Sequence, residues 1–224
     1  MLQTFDAIAE AYDRWYDTPD GRAIFNAELI GLRPLCGGIQ GRWLEVGVGT
    51  GRFAYGLGIA EGIDPSPPML ELAAGRGIKT YEGSAEALPF ADESFNGVLL
   101  ALTLCFLADP PKALAECRRI LRPGGKLVLG MIPANSPWGK AYERKKAEGH
   151  PVYALAHFFE ASEMVALVEL AGLAYQAATS TLFWAPNESS EIVPRVEPGT
   201  VPGAGFLGLL FIKNLRGAEE RERL

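Results

Sequence analysis

The stretch WLEVGVGTGRF, Trp43 to Phe53, places Gly47, Gly49 and Gly51 within five positions, just behind Glu45. Residues without a Cβ let backbone amides approach a ligand closely and adopt angles closed to other side chains. A helix starting near Arg52 would add the positive end of its dipole, so the loop suits an anionic or strongly polar group. The spacing is GxGxG rather than the GxGxxG of dinucleotide-binding chains, and a nicotinamide enzyme's tyrosine-lysine or histidine set is not found. A tight strand-to-helix turn with no ligand is the plain alternative. Groups able to move protons are few: His150, His157, Tyr12, Tyr16 and Tyr142. Tyr16 and His157 stand out as candidates for catalysis. Tyr12 and Tyr16, four apart on an expected helix, share a face that would either cover a ligand or pack. His157 falls at an expected strand-to-helix junction, where a structural role is the commoner one. Cys105 has no histidine near it in sequence and sits in an apolar run that would raise its pKa, so packing is its expected role.

These residues need a scaffold to position them. Apolar runs RWLEV, AEGID, IKTYE, GVLLALTL and KLVLGMI alternate with helix-compatible stretches, which predicts a parallel sheet covered by helices. Crossover helices are expected at Arg52 to Leu57, Pro67 to Ala74, briefly near Ala85, and at Pro111 to Leu121, where Ala113, Leu114, Cys117, Ile120 and Leu121 share a face. LRPGGKLVLG stops that helix and starts a strand. A further helix over Ser162 to Ala171 closes at Gly172, followed by strands in AYQAAT and GFLGLLFIKN. Between those strands the proline- and glycine-rich residues 185–204 read as a flexible flap.

With 224 residues, 48% of them hydrophobic, one domain can bury a full core without disulfide or metal staples. Lysine plus arginine number 21 against 27 acids, and the net charge of −6 argues against nucleic acid. Three cysteines without a CxxC pair suit reduced thiols in the cytoplasm and suggest no metal site. The run from Val98 to Ala108 falls well short of the roughly 18 residues of a membrane span, so no membrane insertion is expected. The acidic start lacks the pattern of a signal peptide.

From Trp43 to Ile132 the sequence resembles the class I S-adenosylmethionine-dependent methyltransferases, in the branch containing the ubiquinone and menaquinone C-methyltransferases. LEVGVGTGRF looks like that family's first motif and GIDPSPPMLELA like its second-strand motif. EGSAEALPFADESFNGVLL looks like the third and fourth, and LAECRRILRPGGKLVLG like the fifth. The resemblance implies a Rossmann-like, seven-stranded, mostly parallel α/β sheet with one antiparallel strand and helices on both faces. The cofactor S-adenosyl-L-methionine, leaving as S-adenosyl-L-homocysteine, would lie at the sheet's carboxyl edge. It further implies Glu45 beneath the cofactor's methionine moiety, Gly47, Gly49 and Gly51 beside it, and Asp64 on the ribose hydroxyls, followed by Pro65 and Met69. Ser84 and Ala85 would lie at the adenine and Ala101 near the sulfonium.

Alternatives stay open for several of these residues. Glu45 could brace the loop, Asp64 could cap a helix, and Met69 could face the core. Ser84 stands where many relatives carry an aspartate, so adenine recognition would lean on the Ala85 amide and Leu88 packing.

The chain then reads as one methyltransferase domain: an N-terminal helical lid (1–40), a cofactor core (41–132), a substrate-cap insert (133–158), C-terminal helix and strands (159–215) and a solvated tail (216–224). The insert's Trp138, Tyr142, Tyr153 and Phe158 would line a small-molecule acceptor site or pack as a cap. The expected function is in-line methyl transfer to a small acceptor, the alternative a non-catalytic module that holds the cofactor or its product. A homodimer is open to such a chain.

Overall fold

The computed structural model describes residues 2–186, 188 and 193–215. Helices α1 (Leu2–Trp15) and α2 (Pro19–Cys36) precede β1 (Trp43–Val46), α3 (Arg52–Leu57), β2 (Glu61–Asp64), α4 (Pro67–Gly75), β3 (Lys79–Glu82) and β4 (Phe95–Ala101). There follow α5 (Pro110–Ile120), β5 (Leu121–Met131), α6 (Pro137–Ala147), α7 (Ala161–Leu170), β6 (Leu173–Thr181), β7 (Glu197–Pro198) and β8 (Phe206–Lys213). Short-range chemistry sets several helix starts. Thr18-Pro19, Asp109-Pro110 and Ser136-Pro137 each pair a side-chain oxygen that accepts an amide of the first turn with a proline needing no partner for its missing N–H.

The strands form one sheet in the order β3-β2-β1-β4-β5-β8-β6-β7. β1 to β5 are mutually parallel, and β8 runs antiparallel to β5 and β6. The fold is thus the expected Rossmann-like sheet with one correction. The two-residue β7 adds an eighth strand, antiparallel to β6, pairing Thr179 with Pro198 and Ser180 with Glu197. The Ser180 hydroxyl donates to the Gly199 carbonyl and accepts from the Val201 amide. So residues 197–201 of the expected flexible flap are strapped along the edge of β6, where they satisfy backbone groups that an open edge would leave exposed. Residues 187 and 189–192 of the flap, and the tail 216–224, lie outside the described residues.

Two further expectations change. No helix forms near Ala85; residues 84–87 make a turn closed by the Ala87 amide on the Ser84 carbonyl. Pro89 excludes helical backbone at Leu88, whose amide donates instead to Glu116 Oε2 at 2.9 Å. The RPGG segment lies inside β5 as an irregularity against β4, with Gly124 at φ 76°.

The core occupies both faces of the sheet. Leu44 and Val46 of β1 face α5 and α7, while Trp43 faces α2 and α3. Helix α2, expected to be half of a lid, is a core helix: Ala27 and Leu32 are fully buried against the face that carries Val128 and Phe206. Among the described residues no helix is long and apolar enough to cross a membrane.

Candidate functional site

Strand order reverses between β1 and β4, and the crevice beyond the carboxyl ends of those strands is where open α/β sheets bind ligands. Three loops meet there. After β1, Gly47, Gly49 and Gly51 all take left-handed angles, φ 72°, 49° and 81°. A Cβ on Gly47 would strike the Thr103 side chain and one on Gly51 would press on Ala73, whereas one on Gly49 would meet nothing within 4 Å. The first and third glycines therefore let protein pack on the loop, and the middle one faces open space.

After β2, Asp64 braces this loop: its Oδ2 accepts the Gly49 amide at 2.9 Å and its Oδ1 accepts the Ser66 amide at 3.0 Å. Each carboxylate oxygen retains a lone pair for a further donor. Burial pushes the Asp64 carboxyl up, against the opposing pull of those two amides. Pro65 is exposed beside it and Met69 is buried, in neither of the two core clusters. Glu45, on β1 and 1% exposed, has one carboxylate oxygen without a hydrogen-bond partner. Burial drives its pKa well above the carboxylate range despite a hydrogen bond from the Ala54 amide, and nearby Asp64 adds to the rise. An orphaned acid oxygen and a second acid beside open backbone fit a cationic ligand such as the ammonium end of S-adenosylmethionine. Ser84 is partly exposed after β3, and Ala85 and Leu88 are buried behind it.

After β4, Ala101 is followed by Leu102 at φ 56° and a 3-10 turn, Leu104–Phe106. Leu102 to Phe106 form one wall of a cavity of about 1020 Å³. Trp138, Tyr142, Tyr153 and Phe158 all line it, and Trp138 and Phe158 are at the same time buried in the core, so the insert both lines the cavity and packs as a cap. Tyr142 stacks on Tyr153 with ring centroids 4.4 Å apart, and the Trp138 indole donates to the Trp184 carbonyl at 2.6 Å. Tyr16 also lines the cavity, its hydroxyl 2.8 Å from that of Tyr12. Burial raises the pKa of both tyrosines, so neither supplies a phenolate near neutral pH. His157 does not join them. Its side chain is exposed against Phe159 and its backbone amide holds the Cys105 carbonyl at 2.7 Å. Cys105 is pushed up to about 12 by burial, in keeping with a packing role.

Helix α1 closes the top of the crevice. Asp13, whose side chain is 14% exposed, accepts from both Arg52 on α3 and Arg76 just past α4, at 2.7 to 3.0 Å. Asp6 accepts from the Ser66 hydroxyl at 2.5 Å. The Asp13 carboxyl is held down to about 2 by its arginine hydrogen bonds, which outweigh its partial burial. Stability from this clamp is fully present above the ordinary carboxylate value of 3.8 and is lost as pH falls through about 2. Asp13→Asn is expected to weaken the clamp by about 2 kcal/mol. Hydrogen exchange should then show α1 opening at least tenfold more often with the sheet unchanged; equal protection of α1 would show that the clamp does not hold it.

The comparisons with known proteins agree with this geometry. A family model described as a methyltransferase domain matches residues 44–129. A Thermotoga maritima structure, described as an S-adenosylmethionine-dependent methyltransferase and possible histamine N-methyltransferase, is 38% identical. It covers 96% of this chain and all of its own, with a TM-score of 0.88. The chain belongs to the class I S-adenosylmethionine-dependent methyltransferases. An uncharacterized protein of Mycobacterium tuberculosis is 41% identical to this methyltransferase over 90% of the chain and 70% of its own length. The demethylmenaquinone methyltransferase of Renibacterium salmoninarum is 35% identical over 57% of each.

Sequence reasoning missed Glu28, which is 3% exposed and lines the cavity. The signal was present in the spacing. Ile24, Glu28, Gly31, Leu32 and Leu35 fall on one stripe of α2, so an acid occupies a position that the pattern reserves for a core residue.

Proposed function

We propose that this methyltransferase transfers a methyl group to a small organic acceptor held in the aromatic cavity. The observation that carries the reading is continuity: the wall formed by Leu102 to Phe106 belongs to the loop that leaves β4 beside the glycine turn, so cavity and crevice share an edge. The cavity volume of about 1020 Å³ suits a small or medium acceptor.

Bound S-adenosylmethionine would supply an activated methyl on a cationic sulfur. Glu45, Gly49 and Asp64 would hold its amino-acid and ribose portions, while Ser84, Ala85 and Leu88 would border the adenine. The protein's own work is placement, since alignment of a nucleophile in a closed site is worth effective molarities of about 10⁵ M or more. Helix α1, held by Asp13 and Asp6, would limit the entry of water to the crevice once ligands are bound.

Titration calorimetry tests the reading: both S-adenosylmethionine and S-adenosylhomocysteine should bind, and Asp64→Ala should weaken both at least several-fold. Unchanged affinity in that variant would remove Asp64 from the ribose. Binding of neither ligand at millimolar concentration would overturn the methyltransferase reading. Release of S-adenosylhomocysteine over an acceptor panel separates an enzyme from a module that only holds the cofactor.

A further inference from the structure

Glu28 is the single buried charge-bearing side chain among the described residues of the cavity wall. The others, Asp20, Lys140, Arg144, Lys145 and Glu148, are all exposed at its rim. No hydrogen bond or ion pair reaches the Glu28 carboxylate among the described residues, and desolvation alone sets its titration. A carboxyl so desolvated and without a protein partner gains from a ligand in the cavity that pairs with it.

Tyr12, Tyr16, Tyr142 and Tyr153 surround the same space. Ring faces carry negative potential and attract cations, as Lys145 shows at the rim, its ammonium 5.5 and 5.6 Å from the Tyr142 and Tyr153 ring centres. An anionic acceptor would meet both a carboxylate and these faces. A neutral apolar acceptor would leave the carboxyl unpartnered.

Resting on the methyltransferase reading above, we infer that the acceptor is an organic amine, its ammonium seated on Glu28 among the tyrosine rings, with Glu28 taking the proton that frees the nitrogen. The Glu28 carboxylate accepts one proton from the ammonium. The lone pair so released forms the N–CH3 bond as the donor's S–CH3 bond breaks with its electron pair left on sulfur, and Glu28 keeps the proton when the methylated amine departs, releasing it to solvent as the next ammonium binds. Burial pushes Glu28 up to about 8, close to the range that proton transfer at neutral pH requires. The tyrosines and the cysteine of the cavity wall lie away from that range. Burial raises Tyr12, Tyr16, Tyr142 and Tyr153, and holds Cys105 at about 12.

Titration calorimetry of the full chain saturated with S-adenosylhomocysteine tests this with 2-phenylethylamine and cyclohexylamine as probes. Their isosteres 2-phenylethanol, cyclohexanol and 3-phenylpropionate serve as comparisons. At least one amine should bind tenfold or more tightly than its alcohol, and the carboxylate should bind most weakly. Near pH 7, buffers of different ionisation enthalpy should show about one proton released per amine bound, because pairing with the ammonium ionises the neutral Glu28 carboxyl. Glu28→Gln should lose both the amine preference and the proton release while keeping its S-adenosylhomocysteine affinity; Glu169→Gln, exposed on α7 and outside the cavity, should keep all three. Alcohols or the carboxylate binding as well as the amines, no probe binding at all, or an amine preference that survives Glu28→Gln would each overturn the proposal alone. Failure of the wild-type chain to bind S-adenosylhomocysteine would overturn it together with the reading beneath it.

Discussion

Gly47→Ala is expected to destabilise the protein by about 2–5 kcal/mol and to weaken S-adenosylhomocysteine binding at least tenfold. Two costs add. A residue with a Cβ at φ 72° pays for a left-handed angle, about 1–2 kcal/mol, and overpacking a filled site adds about 1–3 kcal/mol. The new methyl would collide with Thr103 Cγ2 and stand 2.6 Å from its Oγ1. Thr103 has little freedom to move away, since its hydroxyl donates to the Ala101 carbonyl at 3.1 Å. Thr103→Ala added to Gly47→Ala should therefore recover part of the lost stability, because the atoms in closest collision are gone. Gly49→Ala separates the two effects. Its Cβ meets no protein atom, so it should lose about 1 kcal/mol of stability yet still impair binding, the methyl intruding on the ligand's side of the loop. Thermal denaturation and calorimetry on the three variants check this. A Gly47→Ala protein with wild-type melting temperature and affinity would show that the Thr103 contact does not fix the loop.

Glu28→Gln should make the ligand-free protein more stable, by about 3–4 kcal/mol at pH 7.5, with little change at pH 4.5. The carboxyl titrates near 4.5 when unfolded and near 8 when folded. Between those values the folded state binds more protons than the unfolded state, so stability is full below 4.5 and falls as pH rises towards 8. Each pH unit in that window costs about 1.36 kcal/mol. Glutamine removes the titration and flattens the profile. Denaturant unfolding of both proteins at pH 5 and pH 8 measures it: parallel pH dependence in the two would show that Glu28 is not held neutral in the folded state. A substitution that stabilises the fold while removing amine recognition is the expected behaviour of a group retained for function.

The glycine loop was legible because its information is local. Gly47, Gly49 and Gly51 sit between a strand and a helix, and the bare positions are readable from spacing alone. The helix starts at Thr18-Pro19, Asp109-Pro110 and Ser136-Pro137 are set just as locally, a side-chain oxygen and a fixed proline angle acting within three residues, yet of the three only the helix from Pro111 was expected. The brief helix near Ala85 failed for a reason also partly local, Pro89, and partly not, since Glu116 on α5 takes the Leu88 amide. Tyr16 and His157 were the two candidates for catalysis, one on an expected helix and the other at an expected strand-to-helix junction. The fold turned Tyr16 into the cavity and left His157 on the outside.

By itself the sequence determined the parallel sheet, the glycine turn and the aromatic character of the insert, because periodicity, caps and spacing act over a few residues. Only the tertiary structure decided that Asp13 clamps α1 through Arg52 and Arg76, that residues 197–201 strap the edge of β6, and that Glu28 faces Tyr142 and Tyr153 across one cavity. The state of a carboxylate depends on what surrounds it in space. For Glu28 those surroundings arrive from α1, the loop after β4, α6 and the turn at Tyr153, far apart in the chain and brought together only when the sheet and its helices close.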